Sequence, residues 1–426
     1  MVSFILKGIS VGINFLLVPL TLDYLDAERY GLWLTLSSII TWFSLFDIGL
    51  GNGLRNKFAE AIAVEDDSLA KTYISTTFII LTIIMGGVLI LFLAVNSFLD
   101  WGNILNTSAE SRHTLSILAM IIFSFFALKF VFNLTTSIFL AKQKSMFSDL
   151  VGVLGNLLAL IIIFLLMQFG ERSLLYLGFA LAGSPVLVLI ITYFIVFNGK
   201  YVKYKPSLKY LDFTKSKELV GLGFLFFIPQ LSSIVILSFS NVIITQIFSP
   251  EDVAIYNIAY KYFMLIMVFY HIIIHPFWSA FTEAYVKQDF NWIKNIVRKL
   301  LLIWGVSCAG LILMVLISDF VYGIWIGDRI SIPLSINVGL AIYVCMHGWC
   351  YIFNSFVSGI SKLFIHNIIS IIKIILFIIS AIVLSKMIGL IGIPLALIIS
   401  ILPQSIIAPL QYSKLINGKA FGVWNK

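Results

Sequence analysis

Charge is scarce in this sequence. Only 11% of its 426 residues are charged and 60% are apolar, whereas soluble domains carry about 25% charged residues. That shortage excludes an ordinary soluble fold, and with it the chain of globular domains that the length would otherwise suggest. Cysteine is scarce too. Cys308, Cys345 and Cys350 are the only three, all inside apolar stretches and without CxxC spacing. An odd count placed this way supports neither a disulfide framework nor a zinc site. No P-loop is present, which argues against direct use of ATP. The net charge of +8 is scattered between apolar runs rather than gathered in blocks. It fits unequal loops on a membrane protein and not a nucleic-acid partner.

The apolar runs fill most of the chain. A helix needs about 20 apolar residues to cross about 30 Å of hydrocarbon. Twelve runs meet that measure, at roughly 4–22, 30–54, 72–98, 113–140, 147–169, 173–197, 219–247, 253–282, 296–318, 334–358, 365–385 and 389–412. The first holds Lys7, Asn14 and Pro19 and lacks a small-x-small site, so it reads as a retained helix and not a signal peptide. With the N-terminus placed in the cytoplasm, twenty Lys and Arg fall in cytoplasmic segments and five outside. Such a bias over short loops predicts both termini inside. The longest connection, 198–218, carries six lysines. It divides the chain into an N-terminal six-helix bundle at 1–197, a cytoplasmic basic linker, and a C-terminal six-helix bundle at 219–426.

The two halves look duplicated. At a shift of 223, Phe58-Ala59-Glu60-Ala61 falls on Phe281-Thr282-Glu283-Ala284, Asp66 on Asp289 and Lys71 on Lys294. At a shift of 221, Val131-Phe132-Asn133 meets Ile352-Phe353-Asn354. Six helices per repeat means that each half starts from the same side of the membrane. The expected fold is therefore all-α, with twelve transmembrane helices in two pseudo-symmetric bundles around a central cavity, as in parallel-repeat transporters.

Three lysines, Lys129, Lys261 and Lys373, lie inside the apolar runs. A charge at the bilayer centre costs roughly 2.5–3.5 kcal/mol on insertion scales, so each should face protein or water instead of lipid. On the eighth run Asn257, Lys261, Met264, Val268, His271, His275, Trp278 and Thr282 follow steps of three and four and share one face. The fourth run repeats the pattern with Lys129, Asn133 and Thr136, and the second ends in Asn52 and Arg55 with Asp47 at its edge. Lys129, Lys261, His271, His275, Arg55, Asn133, Asn257 and Lys373 are thus the candidate cavity residues. A cavity lined this way suits an anionic, hydroxyl-rich substrate. The plainer alternative is structural: Lys129 or Lys373 pairing with Asp47 or a helix carbonyl, and Arg55 as a cytoplasmic anchor. The His271/His275 spacing lacks the glutamate of H-E-x-x-H, so no metal is implied. Gly49, Gly51 and Gly53 read as close helix packing. Pro19, Pro185, Pro229, Pro276, Pro394 and Pro403 are expected to interrupt helices, and the polar seventh helix around Pro229 is the candidate moving element.

The stretch Arg29-Tyr30-Gly31-Leu32-Trp33, then Phe46-Asp47-Ile48-Gly49-Leu50-Gly51-Asn52-Gly53-Leu54-Arg55-Asn56, ending Ala59-Glu60-Ala61, resembles the second helix of O-antigen flippases. These Wzx-type polysaccharide transporters belong to the superfamily that includes multidrug-and-toxin extruders and the lipid II flippase. The resemblance implies a multi-pass protein of the bacterial inner membrane and not an enzyme. Its substrate would be a short oligosaccharide on undecaprenyl diphosphate, moved from the cytoplasmic to the periplasmic face by alternating access. Membrane lipids, polysaccharide polymerase and chain-length proteins are the further partners it implies, and no cofactor. Proton or sodium coupling stays open, with Asp47 and the histidines as candidate proton carriers. Two rivals stay open as well, a multidrug or cation antiporter of the same fold and an integral-membrane glycan-assembly enzyme. The first would favour an acidic cavity and the second catalytic polar loops.

Overall fold

The computed structural model describes residues 2–43, 50–63, 65–108, 110–142, 144–274, 277–360 and 362–425. These residues form helices and no strand. The chain divides into two compact units, Met1–Phe227 and Ile228–Lys426. The first unit holds α1 (Val2–Tyr24), α2 (Ala27–Thr41), α3 (Leu50–Ala63), α4 (Asp67–Asn96), α5 (Trp101–Ile104), α6 (Arg112–Phe132), α7 (Leu134–Ala141), α8 (Ser145–Phe169), α9 (Leu174–Gly178) and α10 (Ser184–Asn198). The unit boundary falls within α11 (Ser216–Ile247). The second unit continues with α12 (Pro250–Ile274), α13 (Phe277–Val286), α14 (Phe290–Leu316), α15 (Ser318–Trp325), α16 (Leu334–Gly359), α17 (Phe364–Ile388) and α18 (Gly392–Ile416).

Each of the twelve apolar runs carries helix. Nine stretches among the described residues are long and apolar enough to cross a membrane, and one of them, Phe364–Ile416, holds both α17 and α18. Gly389 separates that pair at φ +78°, a left-handed conformation that a side chain strains. The second crossing is carried by α2 and α3, and the seventh by the shorter apolar part of α11. The outward faces are hydrocarbon-like: Ile90, Ile195 and Val306 are 71%, 69% and 74% exposed. This is a multi-pass membrane protein. Not every proline interrupts its helix. Pro19 lies inside an unbroken α1 and Pro403 inside an unbroken α18, as packed membrane helices tolerate. Pro276 lies outside the described residues.

The two units repeat one another in backbone detail. In the first, α3 ends in a turn where Glu65 takes φ 57° and the Asp66 side chain accepts from the Leu69 N–H. In the second, α13 ends in a turn where Gln288 takes φ 57° and Asp289 accepts from the Trp292 N–H. These pairs stand at the shift of 223 read from the sequence. Beyond each turn a long helix runs to a short one held by a buried asparagine. Asn96 accepts from Trp101 Nε1 at 2.8 Å and donates to Ser116 Oγ at 2.8 Å. Asn337 accepts from the Tyr322 hydroxyl at 2.9 Å and donates to Ser318 Oγ at 3.1 Å.

The basic segment after α10 is docked along α4. The Ser207 N–H donates to Ser75 Oγ and the Asp212 N–H to Thr76 Oγ1, both acceptors fully buried. The Tyr204 hydroxyl and the Lys203 ammonium both reach the Asp67 carboxylate, and that carboxylate raises the pKa of Lys203. Lys71 sits 4.5 Å from the centre of the Tyr210 ring.

Close helix packing has one sharp test. A Cβ on Gly155 of α8 would stand 2.9 Å from the Cα of Pro185 in α10, whereas a Cβ on Gly152 would meet nothing within 4 Å. Gly155→Val should therefore cost about 1–3 kcal/mol through overpacking, read as a lower unfolding midpoint in detergent, and Gly152→Val should cost less. Equal midpoints for the two variants would contradict this packing.

Candidate functional site

Within the second unit, polar side chains from five helices converge on a cavity of about 310 Å³. Helix α16 contributes His347, Tyr351, Asn354, Ser355 and Ser358, which follow the helical step and so share a stripe. From α17 come His366, Ser370 and Lys373, again at steps of four and three. Ser232 and Ser233 of α11, His271 of α12 and Gln404 of α18 complete the wall. Three of the chain's five histidines are therefore in one place.

The helices that carry these groups are pinned together around them. Trp349 of α16 donates its indole N–H to the carbonyl of Ser405 in α18 at 3.0 Å. Gly348 lets the ring of Tyr270 in α12 lie close, since a Cβ there would stand 3.0 Å from it. His271 Nδ1 and the Tyr351 hydroxyl are 2.7 Å apart. Their rings meet edge to face at 4.7 Å. His366 Nδ1 and Gln404 Nε2 are 3.5 Å apart, a long contact. The Ser370 hydroxyl donates to the His366 carbonyl, and the Ser355 hydroxyl to that of Ile352. Two buried atoms facing this region, His347 Nδ1 and Ser232 Oγ, have no hydrogen-bond partner in the protein.

The electrostatics are one-sided. Among the described residues no carboxylate lines the cavity, and none is ion-paired with Lys373. A lysine at this depth costs roughly 2.5–3.5 kcal/mol against lipid. The cavity gives its ammonium a polar surround instead. No group of three or more His, Cys, Asp or Glu among the described residues is placed to hold a metal ion.

Of the residues singled out in the sequence, the structure brings His271 and Lys373 together here. Asn257 is instead buried between helices: its amide donates to Asn241 Oδ1 of α11 and to the Val253 carbonyl, both at 2.8 Å. Lys261 lies one turn further along α12, half-buried and outside the cavity wall. In the first unit Lys129 and Asn133 are exposed at the junction of α6 and α7, and Arg55 is exposed on α3. Asp47 and His275 lie outside the described residues. His347, His366 and Gln404 escaped the sequence reading. The signal was there, because the α16 and α17 stripes have the same three-and-four spacing as the stripe on α12. Their hydroxyl and amide members are individually unremarked in apolar helices, and only the fold shows that the stripes face each other.

A family model described as polysaccharide biosynthesis protein matches residues 1–281. The chain is 25% identical over 368 residues to a protein of Yersinia pseudotuberculosis provisionally named an O-antigen export protein, covering 83% of this chain and 81% of the other. It is 25% identical over 414 residues to a provisionally named O-antigen transporter of Salmonella typhimurium, covering 93% and 91%. Among solved structures, an inward-facing multidrug resistance transporter of the MATE family, MOP superfamily, matches with a TM-score of 0.75. It has 17% identity, over 97% of this chain and 94% of that one. The fold is thus the twelve-helix MATE fold.

Asn257 gives a test of its placement. Asn257→Leu removes the bond to Asn241 and should lower the unfolding midpoint in detergent by an amount corresponding to about 1 kcal/mol. A midpoint equal to that of the parent protein would show that this bond does not hold α11 to α12.

Proposed function

Because this chain belongs to the polysaccharide biosynthesis protein family, we propose that it moves a short oligosaccharide carried on undecaprenyl diphosphate across the bacterial inner membrane. The direction is from the cytoplasmic to the periplasmic face, by alternating access. The observation that carries this reading is the lysine- and histidine-lined cavity, with no carboxylate among its described lining residues, inside an otherwise hydrocarbon-like bundle. A diphosphate with its sugars cannot cross hydrocarbon unaided, because each desolvated charge and hydroxyl is costly. A basic interior replaces the lost water while the lipid tail stays in the bilayer. The relatives named for O-antigen export and transport support the substrate class and agree with a transporter rather than an enzyme.

In this reading the halves are 1–197 and 219–426, joined by the basic segment at 198–218, and both termini are cytoplasmic. Lys129, Lys261, Arg55, Asn133, His271, His275 and Lys373 are the substrate contacts, Asn257 supports the helix that carries Lys261 and His271, and Asp47 serves coupling or structure. Polymerase and chain-length proteins would act on the product outside. A cation antiporter of the same fold is the weaker reading, since a drug cation would meet Lys373 with no described carboxylate to balance it.

Two measurements test the proposal. Cysteine labelling should find positions 205 and 419 accessible from the cytoplasm and positions 106 and 327 from the periplasm; the reverse pattern would overturn the direction. In cells dependent on this chain, the Lys129→Gln, Lys261→Gln double variant should slow surface delivery of polysaccharide at least about tenfold, or about 1.4 kcal/mol. The lipid-linked unit should then accumulate inside. Full delivery by the double variant at parent expression level would remove both lysines from the substrate path.

A further inference from the structure

We propose that the basic segment after α10, together with an apolar groove beside it, binds one anionic phospholipid of the surrounding membrane. The lysines of the segment take the headgroup and the groove takes an acyl chain. The site lies wholly in the first unit and does not depend on the transport reading.

Between 199 and 215 the chain carries five lysines and one carboxylate. That carboxylate, Asp212, already accepts from the N–H and the hydroxyl of Thr214. Of the lysines, Lys203 reaches Asp67, and Lys205 donates to the side-chain carbonyl of Asn198 at 3.0 Å. Lys200 and Lys209 are exposed, and among the described residues they have no hydrogen bond or ion pair. Apolar side chains stand beside these charges. Tyr201 and Tyr204 are buried against the unit, whereas Val202, Leu208 and Phe213 are 58%, 77% and 61% exposed. The bonds to the buried Ser75 and Thr76 hydroxyls fix the segment in this attitude. Large apolar side chains held outward among ammonium groups suit an interface that is charged on one side and hydrocarbon on the other.

A groove of about 460 Å³ adjoins the same segment. Pro206 and Leu208 line it beside Phe78 and Ile83 of α4, Val131 of α6 and Phe194 of α10. Ile83 stands seven residues beyond Thr76, so the groove reaches about 10 Å along α4 from the level where the segment is docked. Ile83 and Phe194 are largely exposed, which opens the groove sideways to hydrocarbon. Its lining side chains are apolar except Tyr193 and Thr82, and the Thr82 hydroxyl donates to the Phe78 carbonyl. Such a trough suits a run of methylenes and offers little to a sugar or a phosphate. A lipid with a negative headgroup satisfies both parts of the site at once. A soluble polyanion such as RNA would meet the lysines but leave the groove empty and Leu208 and Phe213 against water. A zwitterionic lipid would fill the groove, but its own ammonium would offset the attraction of its phosphate to Lys205 and Lys209. Each lysine close to anionic headgroups strengthens binding about fivefold.

The test uses the full chain in detergent micelles, with phosphatidylglycerol and phosphatidylethanolamine added in equal amounts and native mass spectrometry as the readout. The parent should retain one phosphatidylglycerol in preference to phosphatidylethanolamine by at least about fivefold. The Lys205→Gln, Lys209→Gln double variant should weaken that retention at least about tenfold, and the corresponding arginine pair by no more than about threefold, because the charge stays. Thr82→Trp, at an exposed position, places an indole in the groove and should weaken retention of both lipids. Helical content and melting of each variant establish that it is folded. If the glutamine pair fails that check, Lys209→Gln alone replaces it and should weaken retention about fivefold. Equal retention of the two lipids by the folded parent, or unchanged retention by the glutamine variant, would overturn the headgroup site. Undiminished retention by Thr82→Trp would overturn the groove as the seat of the chain. Binding of a short RNA by the parent, with no phosphatidylglycerol retained, would make the segment a nucleic-acid surface and overturn the proposal.

Discussion

A lysine and three imidazoles held among membrane helices need a polar surround, and that need organises the second unit. In hydrocarbon no water is at hand to satisfy a charge. Lys373 therefore sits where α16 and α17 turn their polar stripes toward each other, backed by Gln404 on α18 and Ser232 on α11. The outward faces of the same helices carry exposed isoleucine, leucine and valine. Close packing serves the same end. Trp349 reaches the Ser405 carbonyl, and Gly348 admits the Tyr270 ring, so the polar stripes are held in register by bonds and contacts just outside them.

Duplication explains much of the rest. The turn at Glu65-Asp66 and the turn at Gln288-Asp289 share a left-handed residue followed by an aspartate cap. A non-glycine residue at positive φ is uncommon. Its recurrence at the sequence-derived shift, together with the aspartate cap, agrees with duplication of one bundle. The copies have since diverged in chemistry. Among the described residues, the second has gathered three histidines and a lysine in one cavity, while the first presents Lys129 and Arg55 on its surface.

Much of the fold was legible from hydropathy, because crossing a bilayer demands length and apolar character that no soluble element needs. The separation of α8 from α9 at Gly170, and of α17 from α18 at Gly389, could be read from single small or charged residues. Proline was misleading at Pro19 and Pro403: a local rule for helix breaking yields to packing in a membrane bundle. The site was half legible. His271 and Lys373 stood out as ionisable groups in apolar runs. Asn257 shared the stripe of His271, yet the fold uses it to hold α11 against α12. Facing of one helix by another is a tertiary fact, and stripe spacing alone does not contain it. For that reason His347, His366 and Gln404 went unread.

Under the proposed function, the basic interior selects a lipid-linked anion and not a cation. The most direct measurement places the purified chain in vesicles carrying a fluorescent oligosaccharide on undecaprenyl diphosphate in one leaflet, with a cationic drug as competitor cargo. Quenching from outside reports the leaflet of the lipid, and drug fluorescence reports its leakage. Protein-dependent movement of the lipid-linked sugar, with no movement of the drug, is the expected result. Transport of the drug, with the lipid-linked sugar left in its original leaflet, would contradict it.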